Sequence, residues 1–230
     1  MSDLSASASS ATASRARVVA ASSPTVLLRI AEERSVATIW QRSFDPRIAR
    51  DVAPALPRNG FEDGMLVWSH TYRSSPLDAL VSKLAPSDGR DALLADMQML
   101  LGRWFACARG AHAYVSLASV VGSSCNQLHL DNVGLRMLTT YAGAGTEWLS
   151  PGETAAWKRD PCCWRPEGLH RLETGHVVLM KGAAHPHCEG EGLVHRSPRH
   201  ETGDAPRLLF RICDGEYHLY RPALPPLQQS

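Results

Sequence analysis

The most regular hydrophobic pattern of the chain lies between residues 89 and 108. Its apolar side chains recur at spacings of three and four residues and are Leu93, Leu94, Met97, Leu100, Leu101, Trp104 and Phe105. This spacing predicts a helix from about Gly89 to Ala108 with one apolar face. A stripe of this size needs a larger partner to cover it, so we expect the helix to pack on a sheet.

Shorter patterns precede this helix. Ser35 to Gln41 is rich in β-branched and aromatic residues and predicts a strand. Asp45 to Val52 begins with an N-cap and a first-turn proline and predicts a helix. Gly64 to Tyr72 predicts a further extended segment. Ser75-Pro76 opens a short predicted helix whose apolar face consists of Leu77, Leu80, Val81 and Leu84.

After residue 112 the pattern changes to short β-like segments separated by glycine, proline and asparagine. The predicted strands are Ala113 to Val121, Gln127 to Asn132, Leu135 to Tyr141, Thr146 to Leu149, His176 to Lys181, Gly192 to Arg196 and Pro206 to Cys213. Short strands without regular helices between them predict an antiparallel barrel or sandwich. The predicted fold class is mostly β with α, with the N-terminal helices packed on the outside of the β core.

Composition narrows the class of protein. The chain has 230 residues, 44% of them hydrophobic and 20% charged, which is ordinary for a globular protein of one large domain. The net charge of +1 provides no long-range field that would attract nucleic acid. No stretch of about eighteen residues is continuously apolar, so we expect no membrane span. The cytoplasm is the expected location.

Residues 1–23 are dominated by serine and alanine and contain few large apolar side chains. We therefore interpret them as a disordered and dispensable tail. Residues 24–112 are predicted to form a layer of helices and extended segments on the core. Residues 113–221 are predicted to form the β domain that carries the chemistry, because most cysteines and histidines lie there. Residues 222–230 are interpreted as a C-terminal tail.

The strongest chemical signal is His129-Leu130-Asp131. Residues two apart in a strand share a face, so this spacing presents an imidazole and a carboxylate side by side. His195, in a later predicted strand, is the candidate third ligand. Two histidines and one carboxylate on one side of a metal leave open positions, which is the arrangement of non-haem Fe(II) oxygenases. We expect the three side chains to converge on one metal ion.

A second signal lies in the last predicted strand. Arg207, Leu209 and Arg211 share one face, and Leu208, Phe210 and Ile212 share the other. The wholly apolar face is expected to be the packed one, which turns both arginines toward the barrel interior. A guanidinium in such a place usually binds a carboxylate through two hydrogen bonds. Either arginine fits this role.

The order of these motifs resembles that of Fe(II)/2-oxoglutarate-dependent oxygenases of the prolyl-hydroxylase type. The motifs that carry the resemblance are His129-Leu130-Asp131, Arg136 to Tyr141, Gly143 to Thr146, Glu173 to Met180, His195 and Arg207. The resemblance implies a double-stranded β-helix (jelly-roll) core. It implies that His129, Asp131 and His195 bind the catalytic Fe(II), and that Arg207, assisted by Tyr141, binds 2-oxoglutarate. The stretches 135–143 and 192–198 also resemble a bacterial family of unknown function, domain-of-unknown-function family 1826.

Two other classes of protein stay open. In the first, the same three residues and Cys125 hold zinc without redox turnover, as in a metal-handling protein. In the second, the barrel is a cupin-like isomerase or sugar-binding protein, although cupins usually carry a histidine where Asp131 stands.

The remaining cysteines and histidines allow two interpretations. Cys162, Cys163 and the segment from His185 to Cys188 are loop residues and small buried hydrophobes, or they bind a separate structural zinc. The expected partner is a small-molecule or peptide substrate, and the sequence gives no indication of the oligomeric state.

Overall fold

A computed structural model of the chain describes residues 16–74, 77–108, 110–122, 125–161, 169–188, 191–199 and 204–214. Within these ranges the α-helices are α1 (Asp88–Cys107) and α2 (Pro151–Arg159). The strands are β1 (Arg17–Ala21), β2 (Ser35–Trp40), β3 (Phe61–Trp68), β4 (His112–Val120), β5 (Leu135–Ala142), β6 (Glu147–Trp148), β7 (His170–Arg171), β8 (Val177–Lys181), β9 (His195–Arg196) and β10 (Arg207–Cys213). Short 3-10 helices lie at Pro24–Ala31, Ala53–Ala55, Tyr72–Ser74 and Leu77–Val81, and a π-helical turn lies at Ile48–Val52.

The strands form two sheets. The larger sheet has seven strands in the order β1-β2-β8-β5-β10-β4-β3, and the smaller has three in the order β7-β6-β9. An isolated antiparallel bridge pairs His129 with His195, on the side of β9 that does not pair with β6. From β4 onward the chain passes back and forth between the sheets. Strands β4, β5, β8 and β10 belong to the larger sheet, and strands β6, β7 and β9 belong to the smaller. This winding is a double-stranded β-helix, which confirms the predicted fold class.

The two faces of the larger sheet are buried in different layers. One face lies against α1, in an apolar cluster that includes Leu93, Met97, Leu101, Val115, Leu117, Val177, Leu179, Leu208 and Phe210. The other face, called the inner face here, lies against the smaller sheet in a cluster that includes Leu138, Leu172, Val178, Met180, Leu193 and Leu209. Because side chains alternate along a strand, the inner face of β10 also carries the two arginines, as the sequence predicted.

Several predicted elements are confirmed to within a few residues. They are the helix at 89–108 and the strands at 35–41, 113–121, 135–141 and 206–213. The predicted strand at 127–132 was wrong in extent, because only His129 forms a bridge there. α2 was not predicted, although Ser150 and Glu153 form a reciprocal capping box at its start and Pro151 occupies its first turn. In the part of the chain that the structure describes, no helix combines the length and the apolar content needed to span a membrane.

The interpretation of residues 1–23 as a tail was wrong at its C-terminal end. Residues 17–21 form β1, which pairs in parallel with β2 at the edge of the larger sheet. Val18 packs against the inner cluster, and Val19 packs against the cluster on the α1 side. The indole nitrogen of Trp40 donates a hydrogen bond to the backbone carbonyl of Ser22. A single valine pair, Val18-Val19, among serines and alanines was too weak a signal to separate this strand from the tail.

Deletion of residues 1–22 is therefore expected to lower the melting temperature by more than about 2 °C. The loss of two half-buried valines and of the β1–β2 pairing should cost roughly 1–2 kcal/mol, which is about 2–8 °C for a chain of this size. Differential scanning calorimetry measures the shift. Deletion of residues 1–15 is the control, because that stretch contains only Met1 and Leu4 as large apolar side chains. Equal melting temperatures for the two deletions would contradict a stabilising role for β1.

Candidate metal centre

The structure brings His129, Asp131 and His195 together. One potential ligand atom from each residue lies within 4.8 Å of the others. The backbone explains the position of the two histidines, since each donates its N–H to the carbonyl of the other at 3.0 Å. Residues paired in this way lie directly opposite each other across the strands, and the imidazole centroids are 4.6 Å apart. The spacing that the sequence predicted is thus realised, while the role of the three residues as ligands stays a prediction.

Hydrogen bonds to the backbone fix which nitrogen of each histidine faces the cluster. Nδ1 of His129 lies 2.9 Å from the carbonyl of Gln127, and Nδ1 of His195 lies 3.0 Å from the carbonyl of Leu193. A carbonyl only accepts, so each Nδ1 carries the proton and each Nε2 presents a lone pair. Backbone carbonyls commonly orient metal-binding histidines in this way.

The donor set fits a divalent cation. The Nε2 atoms of His129 and His195 lie 3.5 Å and 3.3 Å from oxygens of Asp131. Oδ2 of Asp131 is buried beside Nη1 of Arg136 at 2.7 Å, and Oδ1 faces the imidazole of His129. In the neutral tautomers, the two Nε2 lone pairs and the carboxylate oxygens they face converge without a proton between them, and a metal ion would bind all three side chains. Two nitrogens and one carboxylate oxygen suit Fe(II) and also accept zinc.

The protonation states also favour a cation. Burial opposes the ionisation of Asp131, yet contact with His129 and the charges of His195 and Arg136 hold its pKa at about 2. Burial lowers the pKa of His195, which keeps that imidazole neutral. Contact with Asp131 raises the pKa of His129, so a proton is the natural competitor of a metal for this position. Asp131 and His195 are almost fully buried, which limits competition by water.

Arg207 lies on the inner face at the start of β10 and is 3% exposed. Its Nε donates to the carbonyl of Ala144 at 2.6 Å, and one terminal nitrogen lies 3.5 Å from Oγ1 of Thr140. Burial lowers the pKa of this guanidinium to about 10. Among the residues that the structure describes, no carboxylate lies within ion-pair distance of it.

The glycine-rich turn after β5 makes room for this arginine. Gly143 has a φ of 78°, and a Cβ placed there would lie 2.8 Å from Cγ of Arg207. A side chain at position 143 would therefore displace the arginine as well as strain the backbone. The turn from Gly143 to Thr146 thus packs against the side chain of Arg207 and provides the carbonyl that orients its guanidinium.

Arg211 differs from Arg207 in its partners. Its guanidinium forms an ion pair with Glu62 of β3 and donates to Oγ of Ser116 at 3.2 Å. The sequence left the two arginines equivalent, and the structure separates them. Arg211 joins three strands of the larger sheet, whereas the buried guanidinium of Arg207 is in no ion pair with a described carboxylate.

Tyr141, to which the resemblance assigns a role in binding 2-oxoglutarate, does not lie on the inner face. Tyr141 lies on the α1 side of β5, where its hydroxyl donates to Asp96 of α1 and its ring contacts Phe44 edge to face at 5.5 Å. Side-chain alternation along β5 is the reason, because Thr140 and not its neighbour shares the inner face with Leu138. Thr140 is accordingly the residue of this strand that approaches Arg207.

The other sulfur and imidazole groups form no second cluster of potential ligands among the described residues. Sγ of Cys125 lies 3.8 Å from both ring nitrogens of His129, outside the three-residue group. Cys188 is a buried free thiol, and the rings of His185 and His187 are 5.9 Å apart. Cys162 and Cys163 lie outside the described residues.

One residue of the site was not singled out from the sequence. Arg136 of β5 is 5% exposed, and its Nη1 lies 2.7 Å from Oδ2 of Asp131. The available signal was its position two residues before Leu138, which places it on the inner face. Without the fold, however, nothing indicated that this face lies against His129-Leu130-Asp131.

Fold and site together define a double-stranded β-helix protein with a cluster of two histidines and one aspartate, of which Asp131 and His195 are buried and His129 is partly exposed. The chain belongs to the family described as Protein of unknown function (DUF1826), whose model matches residues 21–212. A comparison with curated proteins finds no significant match.

Solved structures with a related course of the chain include several oxygenases. The 2-oxoglutarate complex of dioxygenase for auxin oxidation 1 from Arabidopsis thaliana is 14% identical, with a TM-score of 0.49 over 86% of this chain and 92% of that one. The dioxygenase for auxin oxidation in rice is 16% identical, with a TM-score of 0.43 over 86% and 82%. A Pseudomonas putida prolyl-4-hydroxylase is 12% identical, with a TM-score of 0.40 over 83% and 97%.

Proposed function

We propose that this protein is a non-haem Fe(II) and 2-oxoglutarate-dependent oxygenase that acts on a small molecule or a peptide. His129, Asp131 and His195 would hold the iron, and Arg207 would bind the far carboxylate of 2-oxoglutarate. When bound, iron and 2-oxoglutarate supply an oxidising chemistry that consumes dioxygen and releases succinate and carbon dioxide. The single observation that carries the proposal is the buried guanidinium of Arg207, which has no carboxylate partner among the described residues and lies on the inner face, which is turned toward the smaller sheet that carries His195.

The chain's own contribution is positioning. The backbone carbonyls of Gln127 and Leu193 hold the protons on the outer nitrogens of the two histidines, so both lone pairs stay directed at one point. The carbonyl of Ala144 fixes the guanidinium plane of Arg207, which leaves its other donors for the oxo-acid. Burial of these groups excludes water and strengthens each electrostatic contact.

The test is anaerobic reconstitution of the full chain with Fe(II), followed by titration with 2-oxoglutarate. We expect a visible metal-to-ligand absorption band that grows with 2-oxoglutarate and saturates at one equivalent per iron. Exposure to dioxygen should then yield succinate, even before the substrate is identified. A protein that binds Fe(II) with no such band and no succinate would contradict the proposal.

A non-redox zinc protein is the second candidate function, and the position of Cys125 favours it. The thiol is 3.8 Å from the His129 ring, so a small rotation would bring a fourth ligand toward the metal. Cobalt(II) distinguishes the two functions, because a thiolate ligand adds an intense near-ultraviolet charge-transfer band that nitrogen and oxygen ligands lack. Loss of such a band in Cys125→Ser would support the zinc function.

Arg207→Lys is expected to weaken 2-oxoglutarate binding roughly 10- to 100-fold, or about 1.4 to 2.8 kcal/mol, with metal affinity nearly unchanged. Lysine keeps the charge but loses the fork that binds a carboxylate through two hydrogen bonds. Titration of the absorption band, or calorimetry with a redox-inactive metal, measures the effect. Arg211→Lys is the matched control and should bind 2-oxoglutarate as the wild type does, since Arg211 pairs with Glu62. Wild-type affinity in Arg207→Lys would make Arg207 a structural residue.

A further inference from the structure

The turn between Asp131 and β5 is unusually well fixed. Asp214 accepts hydrogen bonds from the backbone N–H groups of Gly134 (3.1 Å) and Leu135 (2.8 Å). A Cβ at Gly134 would collide with the Asp214 carboxylate. On the other side, the backbone N–H of Ala183 donates to the carbonyl of Asp131 at 2.8 Å. The end of β10 and the segment after β8 thus hold the turn from both sides.

This turn sets Arg136 beside Asp131. β5 begins at Leu135, so the first inner-face side chain of the strand is that of Arg136. Its Nη1 lies 2.7 Å from Oδ2 of Asp131, and both side chains are less than one-tenth exposed. Oδ1 of the same carboxylate lies on the other side, 3.5 Å from Nε2 of His129. Each oxygen of Asp131 thus faces one imidazole, Oδ1 that of His129 and Oδ2 that of His195, but only Oδ2 also contacts a cation.

We propose that Arg136 is a positioning residue that restricts Asp131 to a single oxygen as a metal ligand. The inference rests on the proposed metal site and adds to it the number of positions that the protein leaves open. A carboxylate can bind a metal through one oxygen or through both. Binding through both would draw Oδ2 toward the metal and away from Arg136, and would weaken a charge-assisted hydrogen bond that is buried from water.

The way in which Asp131 binds the metal sets the number of coordination positions that stay open. Two histidines and one carboxylate oxygen leave three positions of an octahedral ion open, whereas a chelating carboxylate leaves two. A bidentate co-substrate together with a further small ligand needs three. Arg136 would thus preserve the space that the proposed function requires, without touching any substrate.

The experiment counts water molecules on Mn(II), which needs neither 2-oxoglutarate nor turnover. Water-proton relaxation and pulsed electron paramagnetic resonance of the Mn(II)-loaded full chain should give about three exchangeable waters in the wild type. Arg136→Met, and Arg136→Gln, whose side chain is shorter, should each give about one water fewer. Their Mn(II) affinity should be equal to the wild-type value or up to roughly tenfold tighter, because a positive charge near the cation has been removed. Arg136→Lys, which keeps the positive charge, should have the same number of bound waters as the wild type.

The controls separate this role from others. Arg211→Met removes an inner-face arginine that pairs with Glu62 and should keep the wild-type water number. Loss of Mn(II) affinity without a change in bound water in both Arg136 variants would mean that Arg136 only stabilises the fold, and would overturn the inference while leaving the metal site intact. A wild-type protein that binds no Mn(II) would overturn the proposed metal site and the role of Arg136 with it.

Discussion

His195→Ala is expected to abolish stoichiometric Fe(II) binding. The side chain is fully enclosed, its Nε2 faces Asp131 at 3.3 Å, and its backbone pairs with that of His129. Alanine keeps this pairing but removes one of the three proposed ligands, and two ligands cannot hold a labile divalent ion in competition with water. The loss of affinity should exceed the roughly 10- to 100-fold that removal of a residue outside the ligand set costs. Metal analysis after anaerobic dialysis, with a competing chelator to give the affinity, measures the effect.

A matched histidine control is available in the same chain. His187 is exposed and lies outside the cluster, so His187→Ala should bind one Fe(II) as the wild type does. Circular dichroism and thermal unfolding show whether the His195→Ala protein is folded. The cavity left by the imidazole should lower the free energy of unfolding by no more than a few kcal/mol. Retention of stoichiometric iron in a folded His195→Ala protein would remove this residue from the ligand set.

Much of the ligand cluster could be predicted from the sequence because it depends on side-chain alternation over short distances. His129 and Asp131 are two residues apart, and the apolar face of β10 identified the face on which Arg207 lies. The same rule, applied to Arg136, Leu138 and Thr140, would have placed Tyr141 on the opposite face. The role of Tyr141 was transferred by resemblance alone, without regard to the alternation of this strand.

Other features could not be predicted because they depend on the packing of distant segments. The contact between Asp131 and Arg136 exists because Asp214, near the end of the described chain, fixes the turn between them. The separation of Arg207 from Arg211 depends on Glu62, which lies on a strand that precedes α1. β1 is defined by its partner β2 and by the layers on its two sides. None of these pairings leaves a periodic signal in the sequence.

The polar contact beneath α1 is the clearest case of such packing. Asp96 belongs to the predicted helix, where an aspartate is normally interpreted as part of a solvated face. In the structure it forms a bidentate ion pair with Arg42, whose Nη1 and Nη2 lie 2.6 Å and 2.7 Å from its two carboxylate oxygens. It also accepts a hydrogen bond from the hydroxyl of Tyr141. Arg42 also donates to the carbonyl of Gly175. The network ties α1 to β5 and to the segments that flank β2 and β8.

Asp96→Ala is therefore expected to destabilise the protein by about 3–5 kcal/mol. The Arg42 side chain is only 7% exposed, so the variant leaves a buried guanidinium without its carboxylate, and this is more costly than the loss of the pair itself. For a chain of this size, the melting temperature should fall by roughly 6–20 °C, measured by calorimetry together with urea unfolding. Asp91→Ala on the same helix is the control, because its side chain is 75% exposed and its loss should cost less than about 1 kcal/mol.

Tyr141→Phe separates the structural role of this tyrosine from the role that the resemblance implied. Burial and the charge of Asp96 hold the pKa of Tyr141 well above its usual value, so the hydroxyl stays protonated and donates to the carboxylate. Its removal should cost about 1–3 kcal/mol in unfolding free energy, because the bond has a charged acceptor. The affinity for 2-oxoglutarate, followed through the absorption band, should stay at the wild-type value, since Tyr141 lies on the α1 side of the sheet. A tenfold weaker affinity at unchanged stability would instead mean that the tyrosine reaches the oxo-acid, and that the inner face of β5 is not the face that binds it.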